Sequence, residues 1–291
     1  MSARRQVDKR ITALREVREI MNAMKNLALL ESRKVSRSLG VQRETRRHLE
    51  DVGARFLLSY PQAWVPASAA SVVLVLGAER GFCGDYNKRL TIALADHLRS
   101  EPNRPSVILV GHRLGASARP GVDDVVRVDG ATVSEDIADT LTRVANAVTS
   151  RHARLAPSQV VVIRHTSELG PPVVEPLLAE FNTAATSSQA TAIGPELTLE
   201  PEEFFTGLVE AYLIAHLREM LSTALAAESL YRVQHLSGAI THLERRTEEL
   251  SRRSRMLRQE ETIEEIEVLL LGTDMIAPPR VRKTSEPSKR R

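Results

Sequence analysis

Apolar residues recur at Val7, Ile11, Leu14, Val17, Ile20/Met21, Met24 and Leu27/Ala28, in steps of three and four that trace one helix face. Arg, Lys and Glu occupy the opposite face. From about residue 3 to residue 58 there is no proline, only Gly40 and Gly53 interrupt, and Pro61 and Pro66 then end the pattern. At 1.5 Å per residue such a helix is roughly 80 Å long, more than an ordinary globular domain uses.

The pattern changes over about 69–200. SVVLVL (71–76), SVILVG (106–111), VDDVVRV (122–128) and QVVVIRH (159–165) are short β-branched runs that read as strands. Helical patterns lie between them at Asn87–Arg99 and Val133–His152. Strands alternating with helices predict an α/β layer with mostly parallel strands, a Rossmann-like domain. The small, polar stretch TAATSSQATAIGPE (183–196) reads as a loop or linker.

A second long helix is predicted from Pro201-Glu202-Glu203, where proline and acids suit a first turn. Leu236, Ile240, Leu243, Thr247, Leu250, Ser254 and Leu257 step by four and three, a heptad seam with two small polar members. Ile263, Ile266 and Leu270 continue it on a slightly rotated face, and Gly272 and Pro278 terminate it. Neither long helix can cover its seam alone. The fold class expected is therefore α/β plus a long coiled coil: the helices of 1–60 and 201–273 pair antiparallel, the α/β domain of 69–200 is inserted between them, and 274–291 forms a basic tail without fixed structure.

Composition narrows the class. The chain has 291 residues, 42% hydrophobic and 26% charged, as in soluble globular proteins, but only 3% aromatic, as in helical rods. Its longest apolar runs are about six residues, too short to span a bilayer, and the basic start MSARRQVDKR precedes no apolar signal segment. A single cysteine excludes an internal disulfide, a thiol switch between two cysteines and a multi-cysteine metal cluster. Residues 1–50 carry 13 Lys/Arg against 6 Asp/Glu, and 277–291 carry 6 against 1. Such basic regions can meet nucleic acid, anionic lipid or an acidic protein, and read equally as solvated helix faces and a tail.

The one stretch that looks like a site is GAERGFCGDYN (77–87), a glycine-rich turn after a strand. It lacks the Gly-Lys-Ser/Thr of a P-loop, and Gly81 and Gly84 supply only the last spacing of G-x-G-x-x-G. Cys83 has no base assigned to it by spacing and reads as a small buried residue. His235 and His242 are seven apart, too far for one first-shell metal site without a third partner. Glu260, Glu261, Glu264, Glu265 and Glu267 spread around two helical turns, which reads as a solvated face. No catalytic, cofactor or metal constellation survives.

Three separated segments, in order, resemble the gamma subunit of F-type ATP synthases. KRITALREVREIMNAMKNLALLESRKV (9–35) is similar to that family's opening helix, with Ile20, Ala23, Met24, Ala28 and Arg33 on matching positions. GAERGFCGDYN resembles its strand-turn-helix signature S-D-R-G-L-C-G-x-x-N through Arg80, Gly81, Cys83, Gly84 and Asn87. LAAESLYR (225–232) and RQEETIEEIEVLLLG (258–272) are similar to its C-terminal segments through Glu228, Arg232, Arg258, Gln259, Glu265 and Gly272. The chain departs from the family at VQHLSGAITHLERR (233–246), at Ser254-Arg255, where an aromatic-asparagine pair is usual, and in its longer tail. These departures suggest a divergent branch, such as the rotor of an alternate ATPase whose coupling ion could be sodium.

The resemblance implies a non-catalytic rotor shaft without a cofactor, coupling ion flow to ATP synthesis or hydrolysis. Its implied partners are the alpha and beta subunits, the epsilon subunit and the membrane c-ring, with no nucleic acid and with membrane contact only through partners. The implied place is the cytoplasmic face of the bacterial inner membrane. Met24, Arg258, Gln259, Thr262 and Glu265 fall in segments that the family uses for rotor–stator contact. Two other readings stay open on the residues alone: an α/β-domain enzyme with coiled-coil arms, and a nucleic-acid-binding coiled coil.

Overall fold

The structure, a computed structural model, describes residues 3–64, 68–101, 105–118, 120–155, 158–166, 169–179, 181 and 197–276. The linker read at 183–196 and the tail from 277 onward lie outside the described residues. The elements are α1 (Ala3–Ser59), β1 (Ser68–Leu76), α2 (Tyr86–Ser100), β2 (Ser106–Val110), α3 (His112–Ser117), β3 (Val125–Val128), α4 (Ile137–Leu155), β4 (Ser158–Arg164), β5 (Val173–Pro176) and α5 (Pro201–Ile276). α5 runs through Gly272, whose cost inside a helix is about 1 kcal/mol, and its last three residues occupy ground expected to be tail.

The chain divides into two compact units, one of Met1–Ile20 with Ile240–Arg291 and one of Met21–Ala239. In the first, the start of α1 and the far part of α5 run antiparallel. Arg4 Nη1 donates to Glu261 Oε2 at 2.8 Å, Ser254 Oγ to Asp8 Oδ1 at 2.6 Å, and Arg18 lies 4.0 Å from Glu244. Ser254, where the sequence departs from the pattern it resembles, thus has a partner on the facing helix. The seam on α5 lies as its spacing predicts, with Ile240 and Leu250 buried and Leu243, Thr247, Ser254 and Leu257 half-buried.

Two expectations are corrected. The inward row of α1 passes through Val7, Ile11, Leu14 and Arg18, whereas Val17 is 41%, Ile20 61% and Leu27 65% exposed. The row that faces a partner helix repeats every 3.5 residues. The apolar stripe on α1 is wider than that row, so part of it points away. Ile263, Ile266 and Leu270 do not extend the α5 seam either, being 56%, 50% and 62% exposed. Arg4, in the first turn of α1, already bonds Glu261, so α5 has run past the end of α1 there.

In the second unit five strands form one sheet in the order β3-β2-β1-β4-β5. The first four are parallel, and β5 pairs antiparallel with β4 on the edge. Parallel strands are covered on both faces, which is why β1 and β2 read as near-continuous apolar runs instead of alternating ones. β3 is shorter than the run 122–128, beginning at Val125. One sheet face, with Val72, Leu74, Leu76, Ile108 and Val162, packs on Val35 and Leu39 of α1, Ile137 and Val144 of α4, and Leu217, Met220, Leu221 and Leu225 of α5. The other face, with Val73, Val75, Val107, Leu109 and Ile163, packs on Tyr86, Leu90 and Leu94 of α2 and Leu114 of α3, and meets Ala227 and Tyr231 of α5. α5 therefore reaches both layers of the core.

A third cluster gathers Phe56, Leu57, Phe181, Phe205, Leu208 and Tyr212, where the end of α1 meets the start of α5. Gly53 allows this approach: a Cβ there would sit 2.2 Å from Phe181 Cε1.

Candidate functional site

β1 ends at Leu76 and α2 begins at Tyr86, so the nine residues between them turn the chain from strand to helix. Asn87 Oδ1 accepts the Ala78 N–H at 2.9 Å and closes the turn. Phe82 (φ 64°) and Gly84 (φ 57°) both lie in the left-handed region. That conformation costs a phenylalanine free energy that a glycine does not spend.

Two side chains on α5, one helical turn apart, hold the corner. The Glu228 carboxylate accepts the N–H groups of Glu79 and Arg80, each at 3.1 Å, and is ion-paired with Arg232. Arg232 Nε donates to the Gly81 carbonyl at 3.1 Å, and its Nη2 lies 3.5 Å from Cys83 Sγ. Glu228 and Arg232 are buried, at 3% and 7% exposure. Burial raises the Glu228 carboxyl above its ordinary range, against the opposing pull of Arg232 and the two N–H groups. Burial, reinforced by the Glu228 charge, pushes the Cys83 thiol up to about 12. Cys83 is therefore a protonated thiol at neutral pH, and its proton is directed at the carbonyls of Arg80 and Gly81, both 3.4 Å away. A nucleophile needs the thiolate, so the site opposes that chemistry.

Glu79 points the other way. Its Oε2 accepts the N–H groups of His112 at 2.8 Å and Gly130 at 2.7 Å, tying the ends of β1, β2 and β3 together. In open α/β sheets the carboxyl ends of the strands, where the strand order reverses, are the usual ligand crevice. Here the four N–H groups of Glu79, Arg80, His112 and Gly130 that could cradle a phosphate already serve two carboxylates of the chain itself. The space beside the end of β4 is filled as well. His165, fully buried, donates from Nε2 to the Tyr86 carbonyl at 3.1 Å and packs its ring on Tyr86 and Tyr231. Tyr86 and Tyr231 in turn donate to the carbonyls of Ala224 and Gly170. Burial lowers the His165 pKa, so it sits neutral in this cluster. No motif in the sequence marks His165.

Arg80, Gly81, Cys83, Gly84 and Asn87 in one segment and Glu228 and Arg232 in another, which the sequence offers as family-signature residues, are thus brought into one corner joint. A second polar joint went unread. Arg46 Nε donates to Glu219 Oε2 at 2.6 Å, Arg43 Nε to Glu219 Oε1 at 3.3 Å, and the Tyr212 hydroxyl to Glu50 at 3.1 Å. Beside them lies a cavity of about 150 Å³ lined by Arg46, Arg164, Glu175, Tyr212, His216 and Glu219. His216 Nδ1 donates to the Leu177 carbonyl at 3.2 Å, and burial, with the nearby Arg46 charge, lowers its pKa to about 4.

The expected contact residues lie elsewhere. Arg258, Gln259, Thr262 and Glu265 are exposed on consecutive turns of α5 in the first unit, and Thr262 Oγ1 donates back to the Arg258 carbonyl at 2.9 Å. Glu265 also lines a groove with Arg4, Arg5, Glu261, Glu264, Val268 and Leu269. Met24 belongs to the second unit and is half-buried on α1. His235 and His242 are exposed. Among the described residues no group of three His, Cys, Asp or Glu could hold a metal ion, and no helix is long and apolar enough to cross a membrane.

Fold and site together define an assembly subunit, with long helices that offer surface and a sheet whose ligand crevice is filled by its own side chains. The sequence matches the model of the ATP synthase family over residues 3–274. It is 21% identical over 283 residues to the ATP synthase gamma chain of Clostridium botulinum (strain Eklund 17B / Type B), covering 92% of this chain and 96% of that one. Over 250 residues it is 23% identical to the gamma chain of Rhodococcus opacus (strain B4), covering 71% and 75%. The fold is similar to a chain in the Euglena gracilis mitochondrial ATP synthase OSCP/F1/c-ring structure, with a TM-score of 0.60 at 15% identity, covering 97% and 98%. It is also similar to a chain in the central stalk/c-ring structure of Tetrahymena thermophila mitochondrial ATP synthase, with a TM-score of 0.54 at 16% identity, covering 76% and 99%. The chain belongs to the ATP synthase family, as a gamma subunit of the F-type enzyme. As such it is a non-catalytic, peripheral component of the central stalk, and it works within a larger complex.

Proposed function

We infer that this subunit is the turning shaft of its complex, coupling transmembrane ion flow to ATP synthesis or hydrolysis in a ring of alternating alpha and beta subunits. The observation that carries this reading is the family match over 3–274, which spans both long helices and the sheet between them. The helix pair formed by the start of α1 and the far part of α5 meets the alpha and beta subunits. The α/β region of 69–200 and the helix ends beside it meet the epsilon subunit and the c-ring. On this reading the chain works at the cytoplasmic face of a bacterial inner membrane, held there by its partners.

Three catalytic sites facing one asymmetric shaft see different surfaces at any moment. A surface that binds one conformation of a site more tightly than another shifts that site's population, so rotation imposes an order on nucleotide binding and release. The shaft needs no catalytic group for this, and Met24, Arg258, Gln259, Thr262 and Glu265 supply contact chemistry only.

Co-purification tests the reading. A tagged copy of the full chain expressed in its own cell is expected to bring down alpha and beta subunits in threefold excess. Recovery of the chain free of any hexameric ATPase would refute it.

A further inference from the structure

Within the second unit, α1 and α5 bury Val35, Leu39, Leu217, Met220 and Leu221 in the core beside the sheet. A neighbouring apolar row on each helix stays open, with Val41 67% and Ile214 57% exposed. Together with Leu49, Ala211 and Ala215 these two side chains line a groove of about 760 Å³ between the helices. Leu49 also packs on the cluster around Phe56 and Tyr212, so apolar side chains wall that end. Toward the other end the groove adjoins a second, polar cavity of about 350 Å³, and Ser38, Gln42 and Arg218 line both.

The polar end carries one uncommitted charge. Lys34 is ion-paired with Glu135, whereas the exposed Arg218 guanidinium has no carboxylate partner among the described residues. Gln42 Oε1 is buried there without a hydrogen-bond partner, a costly state that calls for a bound group. A concave apolar cleft of roughly 300–1,000 Å³ with a few converging polar groups is the usual form of a small-molecule site. Width decides what enters. Ser38 to Leu49 spans about 16 Å of α1, so the groove has a cross-section of about 50 Å². A helix about 10 Å across needs roughly 80 Å² and can only rest on the rim, whereas an extended hydrocarbon chain lies inside.

We propose that this groove binds a long-chain fatty acid, with the hydrocarbon chain along Val41, Ile214 and Leu49 and the carboxylate on Arg218. One free cation matches one negative charge, and the guanidinium fork fits a carboxylate through two parallel hydrogen bonds. A phosphate monoester, with a charge of about −1.5 to −2, would keep part of its charge unpaired. The chain covers the apolar row that the helix pair leaves in water, which is the source of affinity. Binding at this place goes beyond the shaft reading and does not depend on it.

The test titrates the purified full chain with cis-parinaric acid, a fatty acid that fluoresces when its chain leaves water, and with its uncharged methyl ester. Saturable binding of one acid per chain is expected, with the ester weaker by about fivefold, the worth of a partly exposed charged hydrogen bond. Arg218→Gln is expected to lower the affinity for the acid to that for the ester and to leave the ester unchanged. Ile214→Glu, an exposed substitution that leaves folding intact, is expected to abolish saturable binding of both. Should that variant not fold, Val41→Gln takes its place, with the same loss expected. No saturable binding by the wild-type chain, or equal binding of acid and ester, would overturn the proposal. So would full binding by the groove variant, because the acid would then sit on some other apolar surface. Assembly with partner subunits gives the last arm. Loss of the Ile214-dependent binding in the assembled complex would hand the groove to a partner protein and overturn the fatty-acid site, whereas its persistence there supports it.

Discussion

His216 shows how much a single buried group can hide from a sequence. It is one of eight histidines, and nothing in its neighbours distinguishes it. In the fold its ring lies among Arg46, Arg164, Glu175, Tyr212 and Glu219, with Nδ1 given to Leu177, and its pKa falls from 6.5 to about 4. The folded state therefore holds a neutral imidazole where the unfolded chain binds a proton below pH 6.5. Stability from this group is complete above 6.5 and drains away as pH falls toward 4, by about 3 kcal/mol in all. Denaturant titrations of the purified chain at a series of pH values are expected to show this loss, and His216→Gln, which keeps a donor for Leu177 but cannot titrate, is expected to lack it. Parallel curves for the two proteins would show that His216 is not neutral in the fold. Glu228 was legible by comparison, because it and Arg232 stand four apart in a segment that resembles a known signature. What they bind was not legible: Glu79, Arg80 and Gly81 contribute backbone groups, and backbone groups carry no sequence code.

At the scale of elements, period and chemistry were enough to place most of the fold. β-branched runs gave β1, β2 and β4, and the α5 seam from Leu236 to Leu257 follows its heptad spacing into the interior. β5 was missed because Val173–Pro176 is four residues long, contains proline and sits on an edge, where the ladder tolerates both. The inward row of α1 was misread because two apolar rows run side by side, and periodicity cannot say which of them a neighbour covers. Burial separates them, at 7% exposure for Ile11 and 61% for Ile20. Ile11→Ala is therefore expected to cost about 2–4 kcal/mol, from lost burial and the cavity it leaves. Ile20→Ala is expected to change stability by less than about 0.5 kcal/mol, because that side chain is already in water. Thermal melts followed by helical circular dichroism compare the two, and equal losses would contradict the assignment of the seam.

For the whole molecule the question is where an assembly subunit keeps its function. The corner that most resembles an active site spends its polar groups on internal bonds, while the exposed turns of α5 carry side chains with few obligations inside the chain. Arg258, Gln259, Thr262 and Glu265 are all exposed, with Ile263, Ile266 and Leu270 beside them at half exposure or more. Apolar surface of that extent at a helix end is costly in water and is the ordinary mark of a surface awaiting a partner. Removing polar groups from it should leave the isolated chain almost unaffected. Arg258→Ala combined with Gln259→Ala is thus expected to shift the stability of the purified chain by less than about 0.5 kcal/mol. In reconstituted membranes the same variant is expected to lower ATP-driven ion pumping relative to ATP hydrolysis, since the contacts that bias each catalytic site are weakened while the sites stay intact. The two measurements must diverge. Unchanged pumping would remove these residues from the proposed rotor–stator contact, and a matching loss of chain stability would assign them to folding instead.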